Sequence, residues 1–186
     1  MDNKKIAHKL LEVVGGTPKV VEYVNEDSKI DIYIGENRPY EGVTSYGTIG
    51  LSNYDIGLEV PNKKALRVEF IGACGNYYKE FANIISSCAF NIVTGQYSCN
   101  PGVVYPDIIN QYYEESEMKH IMFAAPFLWD NLSTIEFDTK VVTWLMPIPI
   151  SDSEFEFVKE HGSEELEELF EEHDIDVFDL ERKSVV

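Results

Sequence analysis

The sequence predicts an α+β domain in which a mixed β-sheet is flanked by helices, with an acidic helical segment toward the C-terminal end. Two stretches, 3–14 and 77–94, place apolar residues three and four apart, the spacing that gives a helix one buried face. Around them lie short runs rich in Val, Ile, Thr, Tyr and Phe, separated by Gly, Pro, Asn and Asp, which read as strands and turns. Chain length lets both share one core: 186 residues, 44% of them hydrophobic, can bury roughly 70% of the unfolded surface. Residues 1–186 are therefore read as one domain, without internal repeat or linker.

Ile6, Leu10, Leu11 and Val14 share a face of the first helix, which Gly15-Gly16 ends. Strands follow at 19–24 and 29–34 around a polar turn at 25–28, then a turn at Asn37-Arg-Pro39. The run 44–51 reads as a strand whose glycines, Gly47 and Gly50, mark a bulge or a close backbone approach. After a hairpin-like loop at 61–64, Leu66, Val68 and Phe70 alternate with Arg67 and Glu69, the pattern of a half-buried strand. The longest helix is expected over 77–94, with Tyr78, Phe81, Ile85, Cys88, Ala89, Ile92 and Val93 as its apolar stripe. Beyond an irregular 101–106, strands are expected at 118–124, 134–137 and 141–146. The last is nearly all apolar, so it is read as central, and it ends at Pro147-Ile-Pro149. Ser151-Asp-Ser-Glu154 is a capping box that starts a helix ending at Gly162. Ser163 is read as the cap of a second, acidic helix, and 175–178 as a last short strand.

Composition excludes several classes of function. No apolar run approaches the roughly 18 residues of a membrane span, and the N-terminal stretch lacks the features of a signal peptide. The three cysteines, Cys74, Cys88 and Cys99, are odd in number and lack metal-ligand spacing, so they read as reduced thiols of a cytoplasmic protein. A net charge of −18 argues against direct binding of nucleic acid, whose phosphates require Lys and Arg.

Catalytic chemistry finds little support. Cys88 or Cys99 with His120 could form a nucleophile–base pair, but a cysteine on an apolar helical stripe is more often structural, and His120 sits inside an apolar strand. The other histidines, His8, His161 and His173, lack zinc-ligand spacing. Gly15-Gly-Thr-Pro-Lys19 matches no phosphate loop. Gly72-Ala-Cys-Gly75, placed between a strand and a helix, has the context for an anion site but not the spacing. Asp174, Asp176 and Asp179 do not complete a Ca²⁺ loop, and Glu69, Glu80, Asp107 and Glu136 show no acid–base spacing. Neither a catalytic residue nor a cofactor is assigned.

The remaining signal is charge. Residues 151–186 hold 14 acidic against three basic residues, net −11, with an acidic helical segment at 151–174. Leu166, Leu169, Phe170 and His173 fall at helical spacing, so one face can dock while the rest carries charge. Glu164/Glu168, Glu167/Glu171 and Glu168/Glu172 are like-charged pairs one turn apart, each costing a few tenths of a kcal/mol. Glu171 and Glu172 also sit at the unfavourable end of the helix dipole. Breaches of local rules concentrate at functional sites. The candidate partner contacts are thus Glu164, Glu165, Glu168, Glu171 and Glu172, facing a basic protein. Tyr40, Tyr46, Tyr54, Tyr77, Tyr112 and Tyr113 are candidate interface anchors.

Four strings in order along the chain resemble the suppressor-of-fused-like (SUFU-like) domain in its short bacterial form. They are Pro39-Tyr-Glu-Gly-Val-Thr-Ser-Tyr-Gly-Thr-Ile-Gly-Leu-Ser52, Leu66-Arg-Val-Glu-Phe70, Thr143-Trp-Leu-Met-Pro-Ile-Pro-Ile-Ser151 with Glu154 after it, and Asp176-Val-Phe-Asp-Leu-Glu-Arg-Lys-Ser-Val185. The similarity is to the Bacillus-type antitoxin, or immunity, proteins of the family, which neutralise a cognate LXG-type nuclease toxin. It implies a cytoplasmic, non-enzymatic protein that blocks the toxin's nuclease domain. Animal relatives grip a transcription-factor peptide, partly by strand addition, and carry a further C-terminal domain that this chain is expected to lack, so that role is not carried over. Two readings follow. One is an immunity protein that occludes a basic toxin. The other is a peptide-binding adaptor that uses strand addition.

Overall fold

Strands that are apolar on both faces need cover on both, and the sheet of this protein lies between helices. The computed structural model describes residues 2–61, 63–95 and 97–186. After α1 (Asp2–Val14) come β1 (Lys19–Asn25), β2 (Ser28–Glu36), β3 (Val43–Ile49), β4 (Leu58–Glu59) and β5 (Ala65–Gly75). Next are α2 (Phe81–Val93), β6 (Val104–Tyr105), β7 (Met118–Ala124), β8 (Ile135–Glu136), β9 (Lys140–Ser151), α3 (Asp152–His161) and α4 (Ser163–Glu172). The strands make one sheet in the order β1-β2-β3-β5-β9-β7-β6, with β4 beside β5 and β8 beside β9. Among the described residues only β5 and β9 run parallel, from Ala65↔Lys140 to Phe70↔Leu145, so the sheet is mixed, as predicted.

The period of two along each strand divides the core. Val68 and Phe70 of β5 face α2, with Phe81, Ile85 and Cys88. Ile71 and Ala73 face the other side, where Ile6 and Leu10 of α1 and Leu166 and Phe170 of α4 lie. Gly47 marks a close approach without a bulge. A Cβ there would stand 2.5 Å from Leu10 Cδ2, so the missing side chain is what seats α1 on the sheet.

Several expectations are corrected. The strand at 66–71 is not half-buried, because a short 3-10 helix at Leu51–Asn53 covers its polar face and Glu69 is fully buried. Glu69 Oε1 accepts from Gly50 N and Ser52 N, both at 3.0 Å. Its Oε2 accepts from Thr48 Oγ1 at 2.6 Å and Leu51 N at 3.2 Å. The carboxylate thus satisfies the free N–H groups that open the 3-10 turn. Gly72 and Gly75 lie inside β5, where Gly72 makes room for the Pro147 ring, so the glycine cluster serves packing rather than an anion. The second helix begins only at Phe81 and is no longer than α1, at 13 residues each. Tyr78 precedes it, donating its hydroxyl hydrogen bond to Asp179.

β9 runs on through Pro147 and Pro149 to Ser151. Pairing with β5 stops at Leu145, whereas pairing with β7 continues to Ser151. The Pro149 carbonyl accepts from Arg182 Nη2 at 2.9 Å, so the backbone groups of this residue point away from β7. A missing N–H on that side leaves the ladder intact. Residues 175–178 form turns rather than a strand. The predicted loop at 61–64 closes the β4–β5 hairpin through Val60 N to Lys64 O at 3.0 Å, while Asn62 lies outside the described residues.

The segment after α4 stitches the domain together. The Phe178 carbonyl accepts from Gly75 N at 2.9 Å, and the Leu180 carbonyl from Met118 N at 3.1 Å and Ser116 Oγ at 2.8 Å. Leu180 enters the α2-side core. Arg182 forks onto Glu154, with Nη1–Oε1 at 2.7 Å and Nη2–Oε2 at 2.8 Å, and both residues are buried.

Candidate protein-binding surface

The acidic face is built at the junction of two helices. Ser151 and Glu154 form the predicted capping box: Ser151 Oγ accepts from Glu154 N at 3.2 Å, and Glu154 Oε2 accepts from Ser151 N at 2.9 Å. Gly162, at φ 97°, ends α3 and also precedes α4. Ser163 is therefore the first residue of α4 rather than its cap, and no side chain caps that end. A positive φ at the shared residue favours glycine, which leaves no side chain to cap with.

Leu166 and Phe170 anchor α4 in the core, Leu169 is half-buried, and His173 is exposed instead of completing the apolar stripe. Glu164, Glu165, Glu168, Glu171 and Glu172 are all exposed. No basic residue occupies the last turn of α4. Among the described residues the ion-pair neighbour of this group of five is His161, 3.7 Å from Glu165. The structure thus gathers the five predicted contacts on one helix and leaves their charge uncompensated.

Glu167, beneath them, is half-buried. Burial, then the charges of Glu164 and Glu171, push its carboxyl above the ordinary value. Burial also raises Glu69 against the pull of its donors. A carboxyl raised in the fold keeps a proton that the unfolded chain has lost. Its contribution to stability is therefore complete below the unfolded value and is lost as pH rises through the folded one. Glu36 is held low by Lys19, Asp55 by the Gly57 N–H and Arg67, and Asp152 by Lys119 and His120, and they act oppositely only near ordinary carboxylate values. The urea midpoint should therefore be higher at about pH 5.5 than at about pH 7.5, with relief of self-repulsion adding to the effect. A fall in the midpoint over that window would contradict these assignments.

The other sequence candidates fall into structural roles. His120 is buried; its Nδ1 accepts from Asp107 N at 2.9 Å, which places the proton on Nε2, 3.0 Å from Asp152 Oδ1. All three cysteines are free and buried, and burial pushes Cys99 up to about 12 and raises Cys74 and Cys88 further, so none is a thiolate nucleophile at neutral pH. Asp176 and Asp179 accept backbone N–H groups of Phe178 and Glu181 within turns. Tyr46 is buried, Tyr54, Tyr112 and Tyr113 are half-buried, and only Tyr40 and Tyr77 of the tyrosine candidates stand exposed. Among the described residues no helix is long and apolar enough to cross a membrane.

One feature had no sequence signal. β1 is an edge strand with Val20 (54%) and Val24 (64%) exposed on one face and Val21 (41%) on the other. Tyr23 alone is half-buried, packed toward α2, so the strand shows no clean alternation and the sheet order reveals the edge.

A mixed sheet with these helices and a returning C-terminal segment is the suppressor-of-fused-like α+β fold. Residues 26–183 match the family described as Suppressor of fused protein (SUFU), and the chain belongs to that family. It is 46% identical over 188 residues to Immunity protein YqcF of Bacillus subtilis (strain 168), covering 100% of this chain and 97% of that protein. The fold is shared with a SUFU homologue from Neisseria gonorrhoeae FA 1090 (TM-score 0.75, 18% identity, 100% of this chain and 97% of that one). It is shared as well with a chain of the Sufu–Fu complex (TM-score 0.66, 17% identity, covering 99% and 92%). In Drosophila Suppressor of Fused, the matched region is 50% of the chain, at a TM-score of 0.65, 14% identity and 98% coverage of this chain.

Proposed function

We propose that this chain is a cytoplasmic, non-enzymatic immunity protein that binds and neutralises a cognate protein toxin, and that the toxin is a nuclease. The observation that carries the reading is the 46% identity to an immunity protein over the whole chain. The charge of α4 supports the choice of toxin. A nuclease domain needs a cationic surface for its phosphate substrate, and the exposed Glu164, Glu165, Glu168, Glu171 and Glu172 form a complementary one. Facing charges of this kind steer association, raising rates by about 10–10³-fold.

Co-expression with the product of the adjacent toxin gene tests the role: cells carrying this chain should survive, and survival no better than without it removes the proposal. Reversing the five glutamates to lysine should slow association by about 10–10³-fold and abolish most of its salt dependence. Unchanged rates would move the contact off α4.

The exposed β1 edge favours a second reading, a peptide-binding adaptor that adds a partner strand beside Val20–Val24. Such binding would depend weakly on salt and be lost on introducing proline at Glu22, whose N–H faces the open edge because the pairing alternates from Asn25↔Ser28.

A further inference from the structure

The C-terminal half of α4 overhangs a slot of about 280 Å³. Phe127, Ile148, Phe170 and Val177 give it apolar walls, and Glu167, Glu171 and Asp174 line it with carboxylates. Small-molecule sites usually span roughly 300–1,000 Å³, so this volume suits side chains inserted by a protein. Phe127, 57% exposed, is a large ring that no core packing demands in this position.

Three carboxylates converge here, and among the described residues no lysine or arginine forms an ion pair with any of them. Glu171 and Asp174 also stand at the end of α4 where the helix dipole is negative, so backbone and side chains repel in the same sense. A partner cation relieves that crowding without protonation, and the apolar walls select which one. A guanidinium lies flat on a ring and forks onto carboxylates, whereas a lysine ammonium stays hydrated. The chain uses the same chemistry nearby: Arg182 lies over the Phe170 ring, 5.1 Å from its centroid, while forking onto Glu154.

We propose that this slot is the anchor point for the protein partner and takes an arginine next to an apolar residue. The guanidinium meets Glu167, Glu171 and Asp174, and the apolar neighbour packs on Phe127, Ile148 and Val177. The inference rests on the immunity reading for the partner's identity, and it narrows the contact from the whole acidic face to one end of it.

Calorimetric titration with the toxin domain encoded by the adjacent gene tests it. The variants are Phe127→Ser, the double change Glu171→Gln/Asp174→Asn, and a control, Glu12→Gln/Glu26→Gln, which removes equal charge from exposed sites on α1 and on the edge hairpin. Both slot variants should raise Kd by about tenfold or more, as loss of an interface anchor does, while the control stays near the wild-type value. Thermal melts confirm folding, and the two slot variants act through different atoms, so either can stand in for the other. Wild-type binding with both slot variants within about twofold of it overturns the slot and leaves the immunity reading standing. Equal weakening by the double change and the control marks long-range steering and also overturns it. Absence of wild-type binding removes both.

Discussion

Replacing Arg182 with methionine should cost about 3–5 kcal/mol of stability, the penalty of leaving a buried charge without its partner. Glu154 is fully buried and holds three sets of contacts: the Arg182 fork, Ser151 N at the start of α3, and Val185 N at 3.1 Å. Arg182 also donates to the Pro149 carbonyl, so its loss frees the polar side of β9 where the prolines lie. In a chain of this size the melting temperature should fall by roughly 6–20 °C. Pairing Arg182→Met with Glu154→Gln should recover a large part of the loss, because the charge disappears while an amide oxygen remains for the capping box. Additive costs in the double variant would show that the two groups act independently.

The second large effect is expected at Glu69. Glu69→Ala leaves the N–H groups of Gly50, Leu51 and Ser52 without their acceptor in the covered face of β5. Each buried donor left unpaired costs about 1–3 kcal/mol, so the alanine variant should lose several kcal/mol or fail to accumulate folded. Glu69→Gln separates acceptor geometry from charge. Its amide oxygen can serve Gly50 and Ser52, but its NH₂ then faces Leu51 N and the Thr48 hydroxyl, so the two donors to Oε2 lose their acceptor at about 1–3 kcal/mol each. Denaturant titration that ranks Gln as costly as Ala would show that charge, not acceptor count, matters at this site.

The acidic face and the packing stripes were legible in the sequence because both depend on local spacing. The strand at 118–124 matches β7 at both ends, and the capping box at Ser151 and Glu154 forms as read. Errors arose where a neighbour distant in sequence changed the local rule. Glu69 looks solvent-facing until the 3-10 turn at Leu51–Asn53 is folded over it. Pro147 and Pro149 signal a strand end, yet β5 has already diverged and their backbone groups have no ladder to break. The slot under α4 draws on Phe127, Ile148 and Val177, which no spacing connects. One signal was available: Arg182 is one of three basic residues in the acidic segment, and it pairs with the buried Glu154.

The bonds from Phe178 to Gly75 and from Leu180 to Met118 carry a kinetic consequence. They join segments about a hundred and about sixty residues apart, the long loop closures that slow a folding reaction. A nascent chain can form the β1–β2–β3 meander early, but its central strands keep open seams until residues 178–182 arrive. Synthesis and completion of the fold are therefore separated in time: the sheet closes only after nearly the whole chain has been made.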